Sequence, residues 1–231
     1  MINVSLFHLS LANSLIFLRF GRIMEWRSMA RGEGDMDVLE AIHTRRSVSK
    51  VQEKVPDKAL IHKVLEASLW APNHYLTEPY SFEVLIGDGR NKLGQAYGRI
   101  NQEALDPDAS NEDKKKAYEQ GLAKARRAPV VIVVKVHPSD QKNVIFVEEV
   151  AAAACAVQNM LLASHALGLG AMWRSGNPAY HPIMKETFGM TGEGFVLGFV
   201  YLGYPQEGYV KHPPKKRPLD SVAKWVEHAE K

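Results

Sequence analysis

Three short polar clusters carry the residue types that bind a phosphate group. They are Arg45-Arg46-Ser47, Trp173-Arg174-Ser175 and Lys215-Lys216-Arg217, and each lies at the edge of a segment with a helix or strand pattern. An arginine fork offers paired N–H donors and a fixed positive charge, and a serine hydroxyl adds a further donor. One such cluster alone is also typical of a solvated surface. The three clusters, in company with the loop Ala71-Pro72-Asn73-His74, indicate a site for a phosphate-bearing ligand.

Motifs of other common catalytic sites are missing from the sequence. It contains no His-Glu-x-x-His motif and no paired Cys-x-x-Cys motif, so no metal site is indicated. It also lacks a Gly-x-Ser-x-Gly motif and a Walker A loop. Gly168-x-Gly170 lacks the third glycine of a dinucleotide fingerprint and follows a helix pattern rather than a strand pattern.

The clusters are arranged around one long apolar segment, which predicts a helix from Val150 to Leu167. Polar residues interrupt it only at Gln158, Asn159, Ser164 and His165. A helix that is apolar on nearly all sides is not a surface helix, so either other elements or a second subunit must cover it. Gly168 and Gly170 are expected to end the helix, and a short strand is expected from Ala171 to Gly176.

The remaining patterns predict an α+β domain with a mixed or antiparallel sheet flanked by helices. Alternating or continuous apolar runs predict strands at Tyr80–Ile86, Pro129–Val136 and Phe195–Leu202, with the second strand central in the sheet. Helices are expected after Asp37, from Pro56 to Leu69, twice within residues 90–127, and from Pro182 to Phe188. An amphipathic turn through Val222, Trp225 and Val226 is expected in the tail.

Length and composition are those of one globular domain. The chain has 231 residues, of which 45% are hydrophobic and 24% are charged. The net charge of +3 is too small for a dedicated nucleic-acid binder. The single cysteine, Cys155, lies in the apolar helix, which favours core packing and a reducing, cytoplasmic location.

The first 35 residues differ from the rest of the chain. Their apolar stretch is interrupted by polar residues, has no basic start and is followed by no Ala-x-Ala cleavage site, so neither a signal peptide nor a membrane span is predicted. We therefore predict an N-terminal extension at 1–35, disordered or not native, and a working domain at 36–231.

Several of these motifs, in this order, resemble the nitroreductase family of FMN-dependent oxidoreductases. They are the T-R-R-S ending at Ser47, the A-P-x-H loop ending at His74, the run from Gln158 to Gly176, the strand F-V-L-G-F-V-Y-L-G-Y-P and the segment K-K-R-P-L-D-S-V. The likeness is closest to the smaller, single-domain branch and covers residues 36–225. It implies a nitroreductase-like fold and a homodimer whose interface contains the long central helix and two FMN sites.

The resemblance also implies a role for individual residues. Arg45, Arg46 and Ser47 would hold the phosphate and ribityl chain of FMN, with Lys215 and Arg217 as additional phosphate cations. Trp70 and His74 would contact FMN from the partner subunit, and Asn73 lies in the same flavin-edge loop. Trp173, Arg174 and Ser175 would line the flavin.

One part of the flavin-edge loop departs from the family pattern. Members commonly have an amide followed by Pro-Trp, whereas this chain has Glu78-Pro79-Tyr80. An acidic side chain in place of a neutral amide would alter the hydrogen bonding or redox potential of the flavin, unless Glu78 faces solvent.

The implied reaction is a two-electron transfer by a ping-pong mechanism. NADH or NADPH would deliver hydride to N5 of the flavin, and a nitroaromatic, a quinone or a similar electron-poor small molecule would then be reduced. No catalytic side chain is expected, and Arg174 is the candidate cation for the negative charge of reduced flavin. The charged segment 90–127 is a candidate lid over the site.

Two other functions stay open on the same scaffold. One is a specialised flavin enzyme, either dehalogenase-like or oxygen-dependent. The other is a non-catalytic FMN-binding redox module. Neither a nucleic acid nor a membrane is expected as a partner.

Overall fold

The computed structural model describes residues 36–210 and 212–228. The predicted extension at 1–35 lies outside these residues. The chain divides into two units, residues 1–41 and residues 42–231. The described part of the first unit begins helix α1 (Val38–Thr44), where the backbone N–H of Leu39 donates to Oδ1 of Asp37 at 2.8 Å. Asp37 therefore caps this helix, as its residue type predicts.

A four-stranded antiparallel sheet forms the centre of the second unit. Its strands are β1 (Tyr80–Ile86), β2 (Val130–Val136), β3 (Gly170–Arg174) and β4 (Phe195–Gly203), in the spatial order β1-β2-β4-β3. All three neighbouring pairs are antiparallel. The predicted α+β class and the inner position of β2 are confirmed.

Apolar side chains on both faces of β2 explain why this strand is internal. Val130, Ile132 and Val134 pack in a core on one face, and Val131 and Val133 pack in a second core on the other. Side chains alternate between faces along a strand, so the continuous apolar run from Val130 to Val134 must be covered on both sides.

Helices cover each face of the sheet. On the first face lie α2 (Lys58–Ser68) and α5 (Phe146–Ala166), and the second core includes residues of α3 (Arg90–Glu103), α4 (Asn111–Ala125) and α6 (Pro182–Thr187). Each of the predicted helices is present with ends shifted by a few residues.

The α3–α4 pair is a packed part of this fold. A Cβ atom at Gly121 would lie 2.2 Å from the backbone nitrogen of Gly98, so the two helices touch backbone to backbone. Leu93 and Tyr97 of α3 are buried in the second core. The structure therefore does not support the expectation that segment 90–127 is a mobile lid.

Among the described residues, only one side of helix α5 is covered. Ala153, Ala156, Val157 and Met160 are fully buried, whereas Val147, Ala151 and Gln158 are exposed. By length and composition α5 could also cross a membrane, and it is the one such helix among the described residues. The sequence allowed this helix to be covered by other elements of the chain or by a second subunit. The sheet and α2 cover only one of its faces.

The tail forms less structure than the sequence predicts. A 3-10 turn occupies Leu219–Ser221, and Val222, Trp225 and Val226 lie beyond it with exposed side chains. The expected amphipathic turn through these three residues is not packed on this chain.

A buried pair of tyrosines in the second core predicts a loss of stability at alkaline pH. Burial, and then the neighbouring Tyr201, raise the pKa of Tyr97 above its ordinary value of 10. The unfolded chain releases this proton near pH 10 while the folded chain keeps it, so alkaline pH favours unfolding by about 1.4 kcal/mol per pH unit for each such group. Tyr97→Phe should flatten the fall in unfolding free energy above pH 10, measured by urea denaturation. An equal fall in both proteins would contradict this prediction.

Candidate functional site

The segment after α1 runs beside β3 and brings two of the predicted clusters to one region. Ser47 forms a parallel bridge with Ala171, and the backbone N–H of Val48 donates to the carbonyl of Ala171 at 3.0 Å. A Cβ atom at Gly170 would lie 2.8 Å from Cγ1 of Val48, so this close approach requires the glycine. The cluster Arg45-Arg46-Ser47 thus lies alongside the strand that ends in Trp173-Arg174.

The two arginines of the first cluster have different surroundings. Nη1 of Arg46 donates to the carbonyl oxygens of His43 and Arg45, both at 2.8 Å. Nε of Arg46 and Nη1 of Arg45 are buried and have no hydrogen-bond partner. Arg46 therefore holds the backbone at the end of α1, while Nη1 of Arg45 has no such bond to any of the described residues.

A groove of about 300 Å³ adjoins Arg46. Arg46, Val48, Thr44 and His165 line it, and Oγ1 of Thr44 lies 2.8 Å from Nε2 of His165. Guanidinium N–H groups beside a groove of polar and apolar lining suit an anionic group such as a phosphate.

The second cluster is divided between the two faces of β3. Trp173 packs against the core on the α5 side, whereas the guanidinium carbon of Arg174 lies 5.4 Å from the ring centre of Tyr201 on the other side. Both the indole Nε1 of Trp173 and Nε of Arg174 are buried without a hydrogen-bond partner. Ser175 follows the strand and is exposed. The sequence grouped these three residues, but the alternation of the strand separates their side chains.

Gly198 of β4 makes room for Trp173, which gives a testable prediction. A Cβ atom at Gly198 would lie 2.5 Å from Nε1 of Trp173, and the φ angle there is +155°. Gly198→Ala should therefore displace the indole and lower the free energy of unfolding by about 3 kcal/mol. Gly192→Ala is the matched control, because its φ is +51° but nothing lies within 4 Å of its added Cβ. Equal losses in the two variants, measured by denaturant unfolding, would contradict this packing role.

The loop between α2 and β1 contains an unusual backbone. Tyr75, Leu76 and Glu78 have φ angles of 60°, 53° and 46°, which non-glycine residues rarely adopt. Such strain persists only where surrounding contacts hold it, and it is common at ligand sites. Nδ1 of His74 lies 2.6 Å from Oε2 of Glu148 at the start of α5, which fixes one end of the loop.

The predicted loop residues lie at different depths. Asn73 is half-buried, and its Nδ2 has no hydrogen-bond partner. His74 is exposed, and Trp70, just after α2, is 82% exposed. Such exposure is expected of side chains that contact a ligand in another subunit.

Two residues of this region were missed as site candidates. The hydroxyl of Tyr80 is buried without a partner, and burial, followed by the nearby Glu78 carboxylate, raises its pKa. The sequence feature that could have identified Tyr80 as a site candidate was the unusual Glu78-Pro79-Tyr80. Glu149 of α5 is buried and bonded to the loop, and no sequence motif distinguished it from the apolar helix around it.

The third cluster contributes no buried donor. Lys215, Lys216 and Arg217 are exposed, in a tail with neither helix nor strand at these positions. Among the described residues, the groove is therefore lined by Arg46 of the first cluster and by no residue of the third.

Unpaired buried polar atoms are concentrated on the predicted site residues. Within residues 36–210 and 212–228, six buried side-chain N or O atoms have no hydrogen-bond partner. Five of them belong to predicted site residues, namely Arg45, Arg46, Asn73, Trp173 and Arg174, and the sixth to Tyr80. Each such group costs about 1–3 kcal/mol when buried without a partner. The arrangement therefore fits a ligand that brings several acceptor atoms.

Comparison with known proteins places the chain in a family. The sequence matches the Nitroreductase family over residues 42–204. YdjA of Escherichia coli strain K12, provisionally named an NAD(P)H nitroreductase, is 34% identical over 171 residues, which are 74% of this chain and 90% of YdjA. A protein of Methanothermobacter thermautotrophicus, provisionally named an NADH dehydrogenase/NAD(P)H nitroreductase, is 33% identical over 174 residues, 74% of this chain and 79% of that protein. The chain belongs to the nitroreductase family.

Solved structures agree with this assignment. A nitroreductase-like family protein from Bacillus cereus has a TM-score of 0.71 and 27% sequence identity, and the match covers 84% of this chain and 97% of that one. A nitroreductase with bound FMN from Bacteroides fragilis has a TM-score of 0.62 and 25% identity, covering 83% of this chain and all of that one. The fold expected from the sequence resemblance is confirmed.

Proposed function

We propose that this protein is an FMN-dependent oxidoreductase. It takes hydride from NADH or NADPH and reduces nitroaromatic, quinone or similar electron-poor acceptors by a ping-pong mechanism. The proposal is supported by membership of the nitroreductase family and by the bound FMN of the Bacteroides fragilis relative. The observation that carries it is the set of five unpaired donors on residues already predicted to hold the cofactor.

The residues present fit FMN in charge and hydrogen-bonding type. Arg45, Arg46 and Ser47 would hold the phosphate and ribityl chain, because Arg46 lines the groove and the two arginines bring buried, unpaired guanidinium donors. FMN, when bound, would supply the hydride-accepting and electron-donating chemistry. Lys215 and Arg217 would join the phosphate only if the exposed tail folds over the site.

The ring of the cofactor would meet donors from two segments. Asn73 offers its Nδ2, Trp173 its indole N–H and Arg174 its Nε, all buried and unpaired. Since β3 ends at Arg174, a ligand placed at the end of the strand could reach donors on both of its faces. These fixed donors and the Arg174 charge would stabilise negative charge on the reduced ring. Ser175, which is exposed beyond the strand, would line the same end.

We also propose that the working form is a homodimer. The side of α5 that this chain leaves uncovered bears Val147 and Ala151, and the neighbouring loop exposes Trp70 and Leu76, which is 85% exposed. An apolar helix face next to large exposed apolar side chains is typical of a subunit interface. Trp70 and His74 would then reach the FMN of the partner subunit. A cytoplasmic location stays a prediction from the sequence.

Rapid kinetics of the two half-reactions test the proposed function. FMN-loaded protein is mixed anaerobically with NADPH or with NADH, and the visible flavin absorbance is followed. The reduced protein is then mixed with a nitroaromatic compound or a quinone. We expect the flavin absorbance to fall in the first step and to recover in the second. Double-reciprocal plots of the steady-state rates should give parallel lines. A flavin that neither nucleotide reduces would contradict the proposal in favour of a redox module or a specialised enzyme.

A further inference from the structure

Glu149 is a buried carboxylate whose two oxygens form hydrogen bonds with different neighbours. It is 2% exposed, in the first turn of α5. Oε1 lies 2.5 Å from Oγ1 of Thr77, and Oε2 accepts from the backbone N–H of Ser139 at 3.0 Å. Burying a carboxylate is costly unless its oxygens are hydrogen-bonded, and here each oxygen has one such bond.

One of these bonds enters the most strained part of the flavin-edge loop. Thr77 lies between Leu76 and Glu78, whose φ angles are 53° and 46°. Backbone conformations of this kind cost about 1–3 kcal/mol each and need support from outside the loop. The Glu149–Thr77 bond supplies such support, while the adjacent Glu148 holds His74 at the exposed end of the loop.

Thr77 in turn fixes the side chain of Asn73 through hydrogen bonds. Oδ1 of Asn73 accepts from the backbone N–H of Thr77 at 3.2 Å and lies 3.1 Å from its hydroxyl oxygen. A backbone N–H can only donate, so the amide oxygen is fixed on this side. The amide Nδ2 must then face the other way, where it is buried without a partner. The Thr77 hydroxyl has one proton, which it donates in a hydrogen bond to the closer, charged Glu149 carboxylate.

We propose that Glu149 is a positioning residue that, through Thr77, aims the Asn73 amide N–H at the flavin. The proposal rests on the proposed function, because the acceptor for Nδ2 would be an atom of the FMN ring. Ring atoms gain negative charge on reduction, so an N–H donor held toward them stabilises the reduced form more than the oxidised form. Glu149 would therefore tune the potential of the bound flavin without touching it.

Glu149→Ala in the full-length protein tests the proposal. We expect the Kd for FMN, measured by quenching of flavin fluorescence, to rise about tenfold, which corresponds to one hydrogen bond. The reduction potential of the bound FMN should become more negative. Glu149→Gln should restore both values, because its amide can accept from Ser139 and donate to Thr77, whose hydroxyl then bonds Asn73.

Thr77→Val provides a second test by the same measurement, the reduction potential of bound FMN. It replaces the first variant if Glu149→Ala does not fold. It should reproduce the shift in potential, and combining it with Glu149→Ala should add little. Thr187→Val is the matched control. This substitution, on α6, also removes a partly buried hydrogen bond, which the Thr187 hydroxyl donates to the carbonyl of Ile183. It should leave the potential unchanged.

The outcomes separate the two proposals. A wild-type protein that binds no FMN overturns both of them. A wild-type protein that binds FMN, with Glu149→Ala lowering only the Tm and leaving the Kd and the potential as they were, overturns the positioning role alone.

Discussion

Arg45→Ala should weaken FMN binding by about 10- to 100-fold. Nη1 of Arg45 is buried with no hydrogen-bond partner in the protein, so its bonds are available to a ligand. A hydrogen bond from a charged group contributes about 1.5–3 kcal/mol, and every 1.4 kcal/mol is a tenfold change in Kd. The free energy of unfolding without FMN should change less than the FMN affinity, because Nη1 of Arg45 makes no hydrogen bond within the described residues. Titration calorimetry with FMN and urea unfolding of the apoprotein measure the two quantities.

Two further variants make this prediction specific. Arg46→Ala should cost more stability than Arg45→Ala, because Nη1 of Arg46 bonds two carbonyl oxygens at the end of α1. Arg99→Ala removes an arginine from an exposed ion pair with Glu186 and should change neither quantity much. If Arg45→Ala and Arg99→Ala bind FMN equally well, the phosphate site is not where the structure indicates.

Gly121→Ala should destabilise the fold more than any other glycine change considered above. Its added Cβ would lie 2.2 Å from the backbone nitrogen and 2.5 Å from the Cα of Gly98, and backbone atoms of a helix cannot move aside singly. We expect a loss of about 3 kcal/mol or more, which lowers the Tm by about 10 °C in a chain of this size. Thermal unfolding followed by circular dichroism measures the change.

Gly89→Ala is the matched control for this experiment. Its added Cβ meets nothing within 4 Å, and its φ of −55° suits alanine. The variant should be as stable as the wild type or slightly more stable, because alanine restricts the unfolded chain. A Tm for Gly121→Ala near that of Gly89→Ala would show that α3 and α4 are not in backbone contact.

The elements of the fold followed from the sequence because their patterns are strong. From Val130 to Val134, β2 has no polar residue that could face solvent, and the structure buries both faces of this run. The glycine at 168, with a φ of 73°, follows the end of α5 as expected of a helix stop signal. Local signals of this kind depend on neighbours along the chain.

The details of the site did not follow, because they depend on contacts between distant residues. Trp173 and Arg174 are adjacent in sequence, yet their partners lie on opposite faces of the sheet, since Trp173 packs with the first core and Arg174 lies over Tyr201 of the second. Glu149 precedes the helix predicted from Val150, and nothing in the sequence pairs it with Thr77, which lies 72 residues away along the chain. Lys215 and Arg217 match a motif and are exposed in the tail, so their role as phosphate cations stays a prediction.

The most direct test of this account is whether the purified protein binds FMN. Apoprotein is titrated with FMN, and the quenching of flavin fluorescence gives the Kd and the number of sites. We predict saturable binding of one FMN per chain, weakened in Arg45→Ala and retained in Arg99→Ala. A folded protein that leaves the fluorescence of FMN unchanged would contradict the central claim that the unpaired donors of Arg45, Asn73 and Trp173 form a flavin site.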